Sequence, residues 1–129
     1  MRKEFASLLH KEMSINEKII LLTGDLGYGL WDQIRLDYSD TYSITPFVLY
    51  RPFELLRNYL NHESIPVKLV GGGRDKDYGY LGFSHWAEED TKILSNLENI
   101  QLFKPTTLSK NIFKEFLYNN KPSYLNLKR

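Results

Sequence analysis

The sequence predicts an α/β domain in which helices flank a parallel sheet. Three observations carry that reading. Short apolar runs alternate along the chain with helical patterns, as α/β layer folds require. The runs at 19–22 and 65–70 end in glycine clusters, Gly24-Asp25-Leu26-Gly27-Tyr28-Gly29 and Gly71-Gly72-Gly73. The whole chain is 129 residues, 42% hydrophobic and 14% aromatic. That is enough for one core and too short for two domains.

The elements follow in order. Residues 2–13 place Phe5, Leu8, Leu9 and Met13 on one helical face. Residues 15–23 end in Ile19-Ile20-Leu21-Leu22, a strand buried on both faces. Residues 30–38 carry a shorter helical pattern. Pro52 suits a first turn better than an interior, so a helix runs from 52 to 60. Ile65-Pro66-Val67-Lys68-Leu69-Val70 forms the next strand, and a polar, glycine-bearing loop leads to Ser84-His85. A helix over 87–97 opens with Glu88, Glu89 and Asp90, where the macrodipole favours acids. A strand at 100–103, a helix at 108–118 and a closing strand at 123–127 complete the domain. No repeat, low-complexity segment or linker interrupts it.

Composition excludes several functions. Seventeen Lys+Arg against sixteen Asp+Glu leave a formal charge of +1. A nucleic-acid or polybasic membrane footprint needs a basic excess or stripe that this chain lacks. Without cysteine there are no disulfides, thiolate nucleophiles or Cys-based zinc sites. The charged start, Met1-Arg2-Lys3-Glu4, precedes no long apolar run, so neither signal peptide nor membrane span is expected. A soluble, cytoplasmic domain follows as the expectation.

Ligands of parallel sheets sit outside the carboxyl ends of the strands. The segments to watch are therefore 24–29, 71–85 and the stretch after Phe103. Neither glycine cluster has the spacing of a dinucleotide or nucleotide-phosphate loop, and tight turns explain glycine equally well. His85 stands in an aromatic, glycine-rich loop, where a lone histidine is more often a helix-entry or hydrogen-bonding residue than a catalyst. His10 and His62 share no ligand spacing with it, so no metal site is expected. Arg74-Asp75-Lys76-Asp77 alternates in sign and reads as a solvated loop. Phe47, Tyr50, Phe53 and Tyr59 read as core, although two of them lie close to a strand end.

Arg2-Lys3-Glu4-Phe5, Thr23-Gly24-Asp25-Leu26-Gly27, Thr45-Pro46-Phe47 with Arg51-Pro52, Gly73-Arg74-Asp75, Gly82-Phe83-Ser84-His85 and Asn96-Leu97-Glu98-Asn99-Ile100 follow one another along the chain. In that order they resemble the pyrimidine-binding domain of transketolase-like thiamine diphosphate enzymes. The resemblance spans residues 1–129 as one domain, with an interruption between Tyr42 and Ser43. It implies a domain that takes the aminopyrimidine ring of thiamine diphosphate. A diphosphate-binding partner subunit or domain would hold Mg²⁺ through a Gly-Asp-Gly motif, which this sequence lacks. The cofactor is therefore not expected to bind this chain alone, and a homo- or hetero-oligomer is expected.

The interruption removes about one strand–helix unit, and with it the family's glutamate. There, that residue hydrogen-bonds the pyrimidine ring and promotes the form that deprotonates the thiazolium carbon. Neither Glu54 nor Glu63 can be matched to it. By resemblance, Asp25 lines the cofactor cleft, and Phe47 or Tyr50 is the aromatic facing the pyrimidine. His85 matches the catalytic histidine that contacts the sugar, although Leu81 stands where that motif has Asp and Gly73 where a second His is often found. Arg2 and Arg129 match arginines that grip a substrate phosphate; a surface terminal charge is their plain alternative.

Three readings follow. The first is the pyrimidine-binding half of a split transketolase-like enzyme, moving a two-carbon ketol unit between sugars but inactive alone. The second is a non-catalytic remnant or partner-binding module with the same fold. An unrelated small-ligand α/β binder is the third, and the ordered motifs speak against it. The Tyr42–Ser43 junction is expected to look anomalous, and His85 is expected beside Asp25 at the carboxyl edge of the sheet.

Overall fold

A computed structural model describes residues 1–23, 29–38, 42–44, 49–81 and 85–128. Helix α1 (Arg2–Met13) leads to strand β1 (Leu21–Thr23), helix α2 (Asp32–Asp37) and strand β2 (Tyr42–Ile44). A turn of α-helix, α3 (Phe53–Leu55), runs directly into a π-helix (Leu56–His62). Strand β3 (Lys68–Gly72), a 3₁₀ turn (Gly79–Leu81), α4 (Asp90–Leu94), β4 (Gln101–Phe103), α5 (Lys110–Tyr118) and β5 (Ser123–Leu127) follow. Every strand pairing is parallel. β1 and β2 form one pair, while β5 lies central in a second sheet of order β3-β5-β4.

The alternation of β5 explains the layers. Its five residues are all buried, as a central parallel strand covered on both faces must be. Leu125 and Leu127 face one core with Phe5, Leu9 and Met13 of α1, Ile34 of α2 and Phe113 and Phe116 of α5. Phe5 meets Phe113 edge-on at 5.5 Å between ring centroids, which ties the first helix to the last. Tyr124 faces the opposite core with Leu49, Leu56, Leu60, Leu69, Leu94, Leu97 and Ile100. Ser109 caps α5, its side chain accepting from the Ile112 amide at 3.2 Å.

Several sequence expectations need correcting. The strands do not form one sheet among the described residues; β1 and β2 stand apart from the other three. The Tyr42–Ser43 junction lies inside β2, in continuous register with β1 (Leu21↔Tyr42, Leu22↔Ser43, Thr23↔Ile44), so no break marks it. The expected strand at 65–70 is shifted to Lys68–Gly72, taking two glycines into the ladder opposite Asn126 and Leu127. The helix expected over 87–97 forms only at Asp90–Leu94, leaving Glu88 and Glu89 ahead of its first turn. Arg74, read as part of a solvated loop, is only 4% exposed. Tyr50, Phe53 and Tyr59, read as core, are instead at least a third exposed.

Candidate functional site

The carboxyl end of β3 is where sequence and structure meet. Register fixes its two faces: Leu69 and Gly71 lie with Tyr124 and Asn126, and Val70 and Gly72 with Leu125 and Leu127. Other groups come close to these glycines. A Cβ on Gly72 would lie 3.4 Å from Arg2 Cδ. Gly73, at φ +90°, turns the chain out of the strand, and a Cβ there would meet the Tyr78 ring at 2.9 Å.

On the α1 side, Arg2 and His85 are drawn to one residue, Tyr78. The Arg2 guanidinium donates to the Tyr78 hydroxyl and lies 5.6 Å from the centroid of its ring. His85 packs edge-on to the same ring, 6.4 Å between centroids. Return pairing holds the histidine segment in place: Ala87 N–H donates to the Gly73 carbonyl at 3.1 Å, and Ala87 bridges Arg74. Beside His85, Trp86 buries its indole N–H without a hydrogen-bond partner, and Lys76 Nζ lies 4.7 Å from its ring centroid. His85 therefore stands at the carboxyl end of β3, as the parallel-sheet rule requires. Two matched residues, one on the first helix and one past β3, converge on a residue the sequence reading missed.

The other face carries Tyr50. Tyr50 is 48% exposed and lies near Asp90, which is 6% exposed. Tyr124, fully enclosed, donates its hydroxyl proton to the same carboxylate at Oδ2. Burial raises the Asp90 carboxyl above its ordinary value, although both phenols oppose that shift. Burial and the nearby Asp90 charge likewise raise the Tyr50 phenol, and Tyr124 is raised far more strongly. Tyr50 thus does not share a face with Arg2 and His85; β3 separates them.

Asp25, Phe47 and Arg129 lie outside the described residues, so the expected meeting of Asp25 with His85 lies there too. Among the described residues no group of His, Asp and Glu could hold a metal ion. His10 is paired with Asp37 at 2.7 Å. A polar pocket of about 450 Å³ lined by Ser64, Glu98, Asn99, Gln101 and Lys121 lies at the opposite end of the sheet, beside the starts of β4 and β5. No helix among the described residues is long and apolar enough to cross a membrane. Tyr78, Asp90 and Tyr124 escaped the sequence reading because their partners lie far along the chain. Only the adjacency of Tyr78 to the glycine-bearing loop pointed toward one of them.

No protein-family model matches the chain. No curated protein matches it either. Among solved structures it is similar to a split-gene transketolase described as an inactive beta4 tetramer. The TM-score is 0.78 and the identity 19%, over 99% of this chain and 50% of that one. The fold is therefore transketolase-like, and the chain spans about half the length of that neighbour.

Proposed function

We propose that this chain is the pyrimidine-binding half of a split transketolase-like enzyme. The observation that carries the reading is the convergence of Arg2 and His85 on Tyr78 at the carboxyl end of β3. Those two positions were matched to the family from sequence, and both reach Tyr78, which lies 76 positions from Arg2, within a transketolase-like fold. In this reading Arg2 takes a substrate phosphate and His85 contacts the sugar; Tyr50 lies across β3 from both, which leaves Phe47 as the aromatic that faces the pyrimidine.

Tyr50 offers a half-exposed aromatic side chain, on the face of β3 away from Arg2 and His85. The diphosphate and Mg²⁺ fall to a partner, since no Gly-Asp-Gly motif occurs in the sequence. When bound, the cofactor would carry the two-carbon unit between sugars. This chain's residues would bind and orient: Arg2 by charge and His85 by hydrogen bonding.

A partner also suits the surface. Phe53, Leu55 and Tyr59 expose 38%, 55% and 51% of their surface along the helix that follows Tyr50. Exposed apolar groups gathered on one element mark an interaction site. The second reading, a non-catalytic partner-binding module, draws on β2. That strand runs straight through Tyr42–Ser43, the point at which the resemblance finds the family's glutamate-bearing unit absent from the sequence. Calorimetry with thiamine diphosphate and Mg²⁺ tests the half-site. Stacking is worth about 0.5–1.5 kcal/mol beyond area burial, against several kcal/mol of lost freedom on association. The chain alone should bind no better than about millimolar. A micromolar, Mg²⁺-dependent site on the chain alone overturns the reading. Ketol transfer on adding a diphosphate-binding transketolase subunit supports it, and assembly without turnover favours the second reading.

A further inference from the structure

The amino end of the three-stranded sheet holds a polar pocket of about 450 Å³, the size of a small-molecule site. Three segments wall it: Ser64 after the π-helix, Glu98 and Gln101 around the start of β4, and Asn120 and Lys121 ahead of β5. Those walls are tied together. Asn61 Oδ1 accepts from the Asn99 amide at 3.0 Å, and Asn99 Nδ2 donates to the Asn61 carbonyl at 2.6 Å. On the β5 side, Lys68 Nζ donates to Asn119 Oδ1 at 2.9 Å and to the carbonyls of Asn119 and Lys121. Asn119 Oδ1 also accepts from the Lys121 amide at 2.9 Å and from Ser123 Oγ at 3.0 Å. The Gln101 backbone amide donates to the Pro122 carbonyl at 2.8 Å, which joins the two strand starts.

The lining itself is left uncommitted. Among the described residues, the side chains of Ser64, Glu98, Gln101, Asn120 and Lys121 make no hydrogen bond or ion pair. Glu98 and Lys121 therefore share one pocket without pairing with each other. Ser64 is held at φ +54°, a conformation in which glycine is at ease and serine is not. Pinned walls with an unpaired lining spare a guest the cost of ordering its own site.

Charge selects the guest. The lining carries one carboxylate and one ammonium, together with amides and a hydroxyl. A phosphate would meet Glu98, a polyamine would meet Lys121, and a neutral sugar would answer neither charge. Among the described residues no aromatic ring lines the pocket to stack on a sugar face. A zwitterion satisfies both charges at once, and the amides remain to donate and accept. We propose that the pocket of Ser64, Glu98, Gln101, Asn120 and Lys121 binds a polar α-amino acid, its ammonium on Glu98 and its carboxylate on Lys121. The pocket lies at the opposite end of the sheet from Arg2, Tyr78 and His85, and its guest is independent of what that end binds.

Nuclear magnetic resonance of the full chain tests the site through the side-chain amide signals of Gln101 and Asn120. Titration with L-glutamine should move both signals along a saturating curve. N-acetyl-L-glutamine lacks the ammonium and L-glutaminamide lacks the carboxylate, so each should bind about three- to tenfold more weakly. Glu98→Gln should erase the preference for a free ammonium, and Lys121→Gln the preference for a free carboxylate. Both side chains are exposed, so neither change threatens the fold. Ser64→Gly relaxes the positive φ, so it should raise the urea midpoint while weakening L-glutamine about threefold. Equal binding of the three compounds overturns the zwitterion assignment. Absence of saturable shifts at Gln101 and Asn120 overturns the site itself. L-Glutamine binding that stays unchanged in both charge variants places the guest elsewhere and overturns it too.

Discussion

A Cβ placed on Gly71 would stand 1.9 Å from the Tyr124 hydroxyl oxygen and 2.7 Å from Cζ of the same ring. The phenol lies over the glycine on its way to Asp90, so one missing methyl group lets that buried hydrogen bond exist. Gly71→Ala must displace Tyr124 or bend β3. Overpacking of this kind costs about 1–3 kcal/mol, and the lost bond to a charged acceptor about 1.5–3 kcal/mol more. The expected result is a lower urea midpoint with an unchanged slope. Tyr124→Phe in the same background should cost less than it does alone, because Gly71→Ala has already broken the bond.

Ser109 offers a simpler case. Its side chain accepts from the Ile112 amide at 3.2 Å, and among the described residues no other side chain caps α5 at that end. Ser109→Ala leaves an orphan amide at a helix start and should cost about 1 kcal/mol. Ser109→Asp should restore most of it by capping and by meeting the helix dipole. Urea unfolding of the two variants decides, and equal loss in both would exclude capping as the cause.

Much of the fold was legible because its causes are local. Phe5, Leu9 and Met13 recur at helical spacing, and all three are buried where the spacing places them. The strand at 123–127 was legible because both of its faces are covered, whereas the edge strand at 101–103 buries Phe103 and leaves Leu102 exposed. Gly71 and Gly72 misled for the opposite reason. Glycine usually punctuates, yet here it extends β3, since Tyr124 and Arg2 approach from chain segments that no local window contains. Arg74 misled too. Alternating charge suggests solvent, but a guanidinium can be buried once Asn126 supplies two acceptors. Of the site, Arg2, His85 and Tyr50 were found by resemblance, while Tyr78 and Asp90 became visible only once distant segments were brought together.

Two carboxyls make opposite contributions to stability across the acid range. Burial raises Asp90 above 3.8, so its protonated form is the one that favours folding. Its contribution is whole below the unfolded value and is lost as pH rises through the folded one. Asp37 is lowered by hydrogen bonds from Gln33 and His10. Its contribution is present above the unfolded value and is lost as pH falls through the folded one. Asp90→Asn removes the first titration while keeping the side chain's shape. Urea midpoints from pH 4 to 7 should therefore show the wild type losing ground against Asp90→Asn as pH rises. A constant difference between them would show that Asp90 is not raised.

The Arg2–Tyr78–His85 arrangement predicts a graded response. Tyr78→Phe keeps the ring and removes the hydroxyl that accepts from Arg2. It should cost about 1 kcal/mol and leave the edge-on contact with His85 in place. Tyr78→Ala removes the ring as well, and with it a cation–π contact worth about 0.5–1 kcal/mol at a part-exposed site. It also frees His85 from its aromatic neighbour, so the imidazole proton resonances should lose their ring-current shift. The same resonances should stay nearly unchanged in Tyr78→Phe. Movement of His85 in both variants to the same extent would mean that the hydroxyl, through Arg2, holds the histidine. The expected split assigns that work to the ring, leaving the hydroxyl to fix Arg2.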